Sequence, residues 1–79
     1  MEYVVIYEKG EHNYGAYAPD LPGCVVVGTT LAEVQALIAE AIEFHIDGLR
    51  KNGYAIPAPS GLPVPMNPGM LSATISVQI

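Results

Sequence analysis

Cys24, His12, His45, Asp20, Glu33, Glu40, Glu43 and Asp47 are the side chains whose types could do chemistry. A nucleophilic cysteine needs a nearby cation or histidine to stabilise its thiolate. Cys24 instead precedes three valines, where a small buried filler is the ordinary reading. His12 falls in a polar connection with no second ligand at metal spacing, and His45 sits on an apolar helix stripe, so neither marks a metal site. The acids invite a metal-dependent nuclease reading, but two-metal hydrolysis needs carboxylates that converge. Glu33, Glu40, Glu43 and Asp47 recur at the spacing of one solvated helix face, and Asp20 lies between two prolines, where capping a turn is its usual role. The glycines form no phosphate-cradling motif. The residues assemble no active site, and neither metal nor cofactor is expected.

The elements that position these groups are legible. Tyr14 to Ala18 reads as a strand of small and aromatic residues. Pro19 and Pro22 each fix φ and remove an amide donor, so the ladder stops there, and Gly23 allows a conformation closed to other residues. Cys24 to Val27, bounded by Gly28, reads as a buried strand. Thr30 and Glu33, three apart before an apolar-periodic run, form a capping box at a helix start. The helix should run from Leu31 to Lys51, with Leu31, Val34, Leu37/Ile38, Ala41/Ile42, His45 and Leu49 as its core stripe. Glu33, Glu40, Glu43, Asp47 and Arg50 take the other face, with an Asp47–Lys51 pair at i,i+4 and an Asn52-Gly53 stop.

Before that stretch, Glu2 to Glu8 is apolar on both parities and should be a central strand, joined to the next through a polar hairpin at Lys9 to Asn13. After the helix, Tyr54 to Met70 holds Pro57, Pro59, Pro63, Pro65 and Pro68. It reads first as an extended strap and second as a partner-contacting arm. In the last stretch Leu71, Ala73, Ile75, Val77 and Ile79 alternate with Ser72, Thr74, Ser76 and Gln78, predicting a half-buried strand whose apolar side meets the helix. The order is β-β-β-α-β, an α+β fold with one helix packed on one face of a four-stranded sheet. The opposite sheet face, apolar along the first strand and polar on the fourth, is a candidate interface.

Composition narrows the class. Seventy-nine residues make one small domain, with a single cysteine and hence no intrachain disulfide. Such a domain buries only about 60% of its unfolded surface. The chain is 51% hydrophobic and 14% charged, against roughly 25% charged in ordinary soluble domains. Some apolar surface should therefore meet another chain, in a homo-oligomer (dimer or tetramer) or an obligate partner-binder. With a net charge of −5 and only three cations, the chain lacks the basic footprint of nucleic-acid binding and suits a basic protein partner. The acidic start Met1-Glu2 is unlike a signal segment, and no apolar run could span a bilayer, so a reduced cytoplasmic setting is expected.

Tyr14 to Glu33, as Tyr-x-Ala-Tyr-x-Pro-Asp-Leu-Pro-Gly-Cys-x-x-x-Gly-x-Thr-x-x-Glu, closely resembles the HicB-like antitoxin family. Tyr17, Pro19, Asp20, Leu21, Pro22, Gly23, Cys24, Gly28, Thr30 and Glu33 carry the signature in a structural role. The opening Tyr-Val-Val-Ile-Tyr run and Gly53 to Pro59 are also similar to that family. The resemblance implies a truncated ribonuclease-H-like fold in sheet order 3-2-1-4, with the last strand parallel to the first. It implies no catalysis. It further implies an antitoxin that binds and neutralises a small basic HicA-like toxin, a ribonuclease that cleaves messenger RNA. Many members continue into an operator-binding domain; this sequence reaches Ile79 on a strand, so no DNA-binding domain is expected. Asp20, Glu33, Glu40, Glu43 and Asp47 are the residues expected to meet the partner. The rival reading is a stand-alone oligomeric domain that binds a small molecule or acts as a scaffold.

Overall fold

The computed structural model describes residues 1–61 and 66–77. Its elements are β1 (Glu2–Lys9), β2 (Tyr14–Tyr17), β3 (Val25–Gly28), α1 (Leu31–Lys51) and β4 (Met70–Ser76). They form one four-stranded sheet in the order β3-β2-β1-β4, which agrees with the order implied by the resemblance. β1 is central, as its double apolar parity requires.

The direction of β4 departs from expectation. It pairs antiparallel to β1, with Tyr3 opposite Ile75, Val5 opposite Ala73 and Tyr7 opposite Leu71. The cause lies in the proline-rich segment. The Tyr3 hydroxyl near the start of β1 donates to Pro57 C=O at 2.5 Å, whereas Lys9 N–H at the far end donates to Gly69 C=O at 3.2 Å. The chain thus leaves the helix beside one end of β1 and re-enters the sheet at the other, which reverses the last strand. Pro63 and Pro65 lie outside the described residues, as do Gln78 and Ile79.

The helix ends are built as their residues dictate. Thr30 Oγ1 accepts from Glu33 N–H at 3.1 Å, while Glu33 Oε1 accepts from Thr29 N–H at 3.0 Å. The capping box is therefore present, with its return bond one residue earlier than the standard pattern. At the other end Gly53 takes φ of 73°, Gly53 N–H donates to Arg50 C=O and Tyr54 N–H to Leu49 C=O. This is a Schellman motif, in which a left-handed glycine lets the chain satisfy its last carbonyls.

The core lies between α1 and the sheet face that carries Tyr3, Val5, Tyr7 and Ala16. From the helix, Val34, Ile38, Ile42 and Ile46 are buried. Ile46 holds the place expected of His45, which is only half-buried. The line of contact follows an i,i+4 row and so drifts around the helix relative to a 3.6-residue stripe. Two further expectations fail. β3 is an edge strand rather than a buried one: Val25 and Val27 are each 62% exposed, and only Val26 turns toward the core. The helix packs mainly over β2 and β3. It does not cover the whole apolar row of the last stretch, so Leu71 is 57% exposed, and among the described residues of that row Ile75 and Val77 reach the core.

Candidate functional site: the acidic helix face

The turn after β2 is the most constrained local structure. Leu21 N–H donates to Ala18 C=O, Cys24 N–H to Leu21 C=O, and Ala18 N–H to Cys24 C=O. Pro19 and Pro22 thus each occupy the second position of a tight turn, and Gly23 follows Pro22 at φ of 84°, the φ > 0 that a type II turn requires there. Leu21 and Cys24 point inward and are buried. Burial raises the Cys24 thiol above its ordinary 9.0, so it stays a neutral filler rather than a thiolate.

Asp20, inside this turn, reaches across the molecule. Its Oδ2 accepts from Ser60 N–H at 3.0 Å. Together with the bond from Tyr3 to Pro57, this ties the first part of the proline-rich segment to the end of the sheet. The strap reading of that segment holds for residues 57–60. Tyr3 has its pKa raised above 10.0, first by burial and then by the negative charge of Asp20.

The five acids singled out in the sequence therefore divide by position. Asp20 holds the strap and Glu33 holds the helix cap. Glu40, Glu43 and Asp47 stand exposed on one side of α1, with Asp47 paired to Lys51 at 3.0 Å. The turn-by-turn spacing of 40, 43 and 47 puts their carboxylates in a row. Sequence reasoning missed Phe44, which is 81% exposed beside this row. The signal was available: position 44 falls one turn after Glu40 and off the apolar stripe, a place where a soluble helix usually carries a polar residue. Among the described residues no group of three His, Cys, Asp or Glu could hold a metal ion.

Two other surfaces frame the site. On the sheet face away from the helix, Ile6 is fully buried, Val4 and Tyr17 are half-buried, and Val25 and Val27 project into solvent. Beside the helix start, Tyr7, Tyr14, Leu31, Met70 and Leu71 line an open, mostly apolar groove of 280 Å³. It lies between Leu31 at the start of α1 and Met70 and Leu71 at the start of β4.

Residues 3–77 match the family model described as the HicB-like antitoxin of the bacterial toxin-antitoxin system. A UPF0150 protein of Thermoplasma acidophilum is 41% identical over 58 residues, covering 72% of this chain and 84% of that protein. An uncharacterized 14.9 kDa protein from the rep-hol intergenic region of Haemophilus phage HP1 is 39% identical over 57 residues, 72% of this chain. The match spans only 43% of the phage protein. Among solved structures, the N-terminal domain of Burkholderia pseudomallei antitoxin HicB superposes with a TM-score of 0.84 at 26% identity, each chain covered in full. A chain of a HicA3 and HicB3 toxin-antitoxin complex superposes at 0.72 with 24% identity, again over the whole of both chains, a likeness of fold.

Proposed function

The chain belongs to the HicB-like antitoxin family, and from that premise we propose that it is an antitoxin module that binds and neutralises a small basic HicA-like ribonuclease. It acts by occupying the toxin's surface and not by catalysis of its own. The observation that carries the reading is the match over residues 3–77 together with the exposed Glu40–Glu43–Asp47 row on α1. An RNA-cleaving enzyme presents cations to phosphates, and a row of carboxylates competes for those same cations. The existence of a toxin-antitoxin complex built on the same fold supports a protein partner of this kind. The net charge of −5 would speed encounter with a basic partner through long-range attraction.

The test is a pull-down with the tagged chain from its host, followed by reconstitution with any small basic protein that it captures. Mixing should yield a stable complex and stop RNA cleavage. The double substitution Glu40→Lys and Glu43→Lys, at exposed positions that leave the fold intact, should weaken the complex by about tenfold to a hundredfold, since it replaces attraction with repulsion across the contact. A complex of unchanged affinity would move the interface off this helix. No inhibition of cleavage at any ratio would remove the antitoxin reading altogether.

A further inference from the structure

β4 is an outer strand, and no other described strand pairs with its far side. The bonds at its two ends reveal which of its backbone groups face outward. Met1 and Val77 exchange both backbone bonds, each at 2.7 Å, and Lys9 N–H donates to Gly69 C=O. In an antiparallel ladder, bonded and non-bonded pairs alternate. Ile75, Ala73 and Leu71 are thus the residues bonded to β1. The N–H and C=O groups of Ser72, Thr74 and Ser76 point away from the sheet.

An open edge of this kind templates another strand unless charge, proline, a bulge or shortness blunts it. β4 has no such protection: its seven residues, Met-Leu-Ser-Ala-Thr-Ile-Ser, include no charge and no proline. The opposite edge, β3, has only four residues and follows directly on the proline-bracketed turn. The side chains of β4 are unfinished as well. Leu71 and Ala73, patterned as a buried row, stand exposed because the helix lies over β2 and β3.

We propose that β4 is a homodimer interface, pairing antiparallel with β4 of a second copy about a two-fold axis at Thr74. Two four-stranded sheets then become one continuous sheet. Ser72 stands opposite the second copy's Ser76 and Thr74 opposite its own equivalent, so residues with outward groups meet one another. Thr and Ser side chains stack on one face, a favourable cross-strand pairing. On the helix side Ala73 adjoins Ile75 and Leu71 adjoins Val77, at the non-bonded positions where side chains approach most closely. A second copy fits better than a strand of a basic partner for an electrostatic reason. The seven residues of β4 carry no charge, so two chains of net charge −5 meet there with less repulsion than across the acidic helix face, although Glu43, Asp47 and Arg50 stand beside its end at Ser76 and Val77. A basic partner gains nothing from an uncharged strand when carboxylates lie open on α1.

Sedimentation of the isolated full chain tests this without any toxin, so its outcome is independent of the antitoxin reading. The wild-type chain should be a dimer at tens of micromolar. Thr74→Pro removes an outward N–H without touching the β1 ladder, and Thr74→Lys sets two ammonium groups face to face at the axis. Each should raise the dimer dissociation constant by about tenfold or more, with helical circular dichroism unchanged. A monomeric wild-type chain, or a dimer indifferent to both substitutions, overturns the proposal. Loss of toxin binding in Thr74→Lys from a chain that is monomeric alone would assign the edge to the toxin and overturn it equally.

Discussion

At the scale of single residues, Gly28 shows how closely the helix start is fitted to β3. A Cβ there would lie 2.5 Å from Glu33 Oε1 and 3.0 Å from Val34 Cγ1. Gly28→Ala would displace the Glu33 carboxylate from Thr29 N–H and press on a fully buried valine. The expected cost is about 1–3 kcal/mol, read as a lower urea midpoint with unchanged slope. An unaffected midpoint would mean that the cap can re-form beside the methyl. The sequence pattern Gly-x-Thr-x-x-Glu was visible from the start. That its glycine serves the space of its glutamate was not, since the two meet only after the chain has turned from strand to helix.

At the scale of elements, the proline-rich segment is held by two bonds of different character. Asp20 accepts from Ser60 N–H, and Tyr3 donates to Pro57 C=O. Tyr3→Phe should cost about 1 kcal/mol and hasten proteolysis after the helix, leaving the sheet in place. The same residue sets a pH dependence. Tyr3 and Tyr7 both have folded pKa values above the ordinary 10.0, in each case first through burial. The folded state therefore holds their protons longer than the unfolded state does. Their contribution is complete below pH 10 and is lost as the pH rises through the folded values. Alkaline titration of unfolding should show stability falling in that window, less steeply in Tyr3→Phe. A curve of the same steepness in the variant would assign the loss to other groups.

For the whole molecule, the acidic face lies on α1 and the open edge on β4, and the two adjoin where Glu43 and Asp47 line one cleft with Ser76 and Val77. Binding of a basic toxin to that face should weaken steeply with salt, because exposed charges are screened within about 8 Å at physiological ionic strength. Phe44→Ala should lower affinity while leaving that salt dependence intact, since an aromatic anchor contributes through desolvated contact rather than charge. Titration calorimetry of both proteins across a salt series separates the two. Equal affinity in Phe44→Ala would place the contact elsewhere on the acidic surface.

Local chemistry determined a large share of this protein by sequence alone. The helix bounds Leu31 to Lys51, the cap at Thr30, the stop at Gly53, the Asp47–Lys51 pair and the central place of β1 follow from spacing, propensity and capping, which act over a few residues. The family was legible for a related reason: the Pro-Asp-Leu-Pro-Gly-Cys turn packs its backbone constraints into six consecutive residues, so they can be read as a string. Only the tertiary structure decided the direction of β4, the exposure of Val25 and Val27, and the division of the acids between scaffold and surface. Alternation fixes which residues share a face, but not what covers that face. Here the cover depends on where α1 comes to lie, over β2 and β3, and on the bonds from Tyr3 to Pro57 and from Lys9 to Gly69, which put the chain at opposite ends of β1 after the helix and before β4.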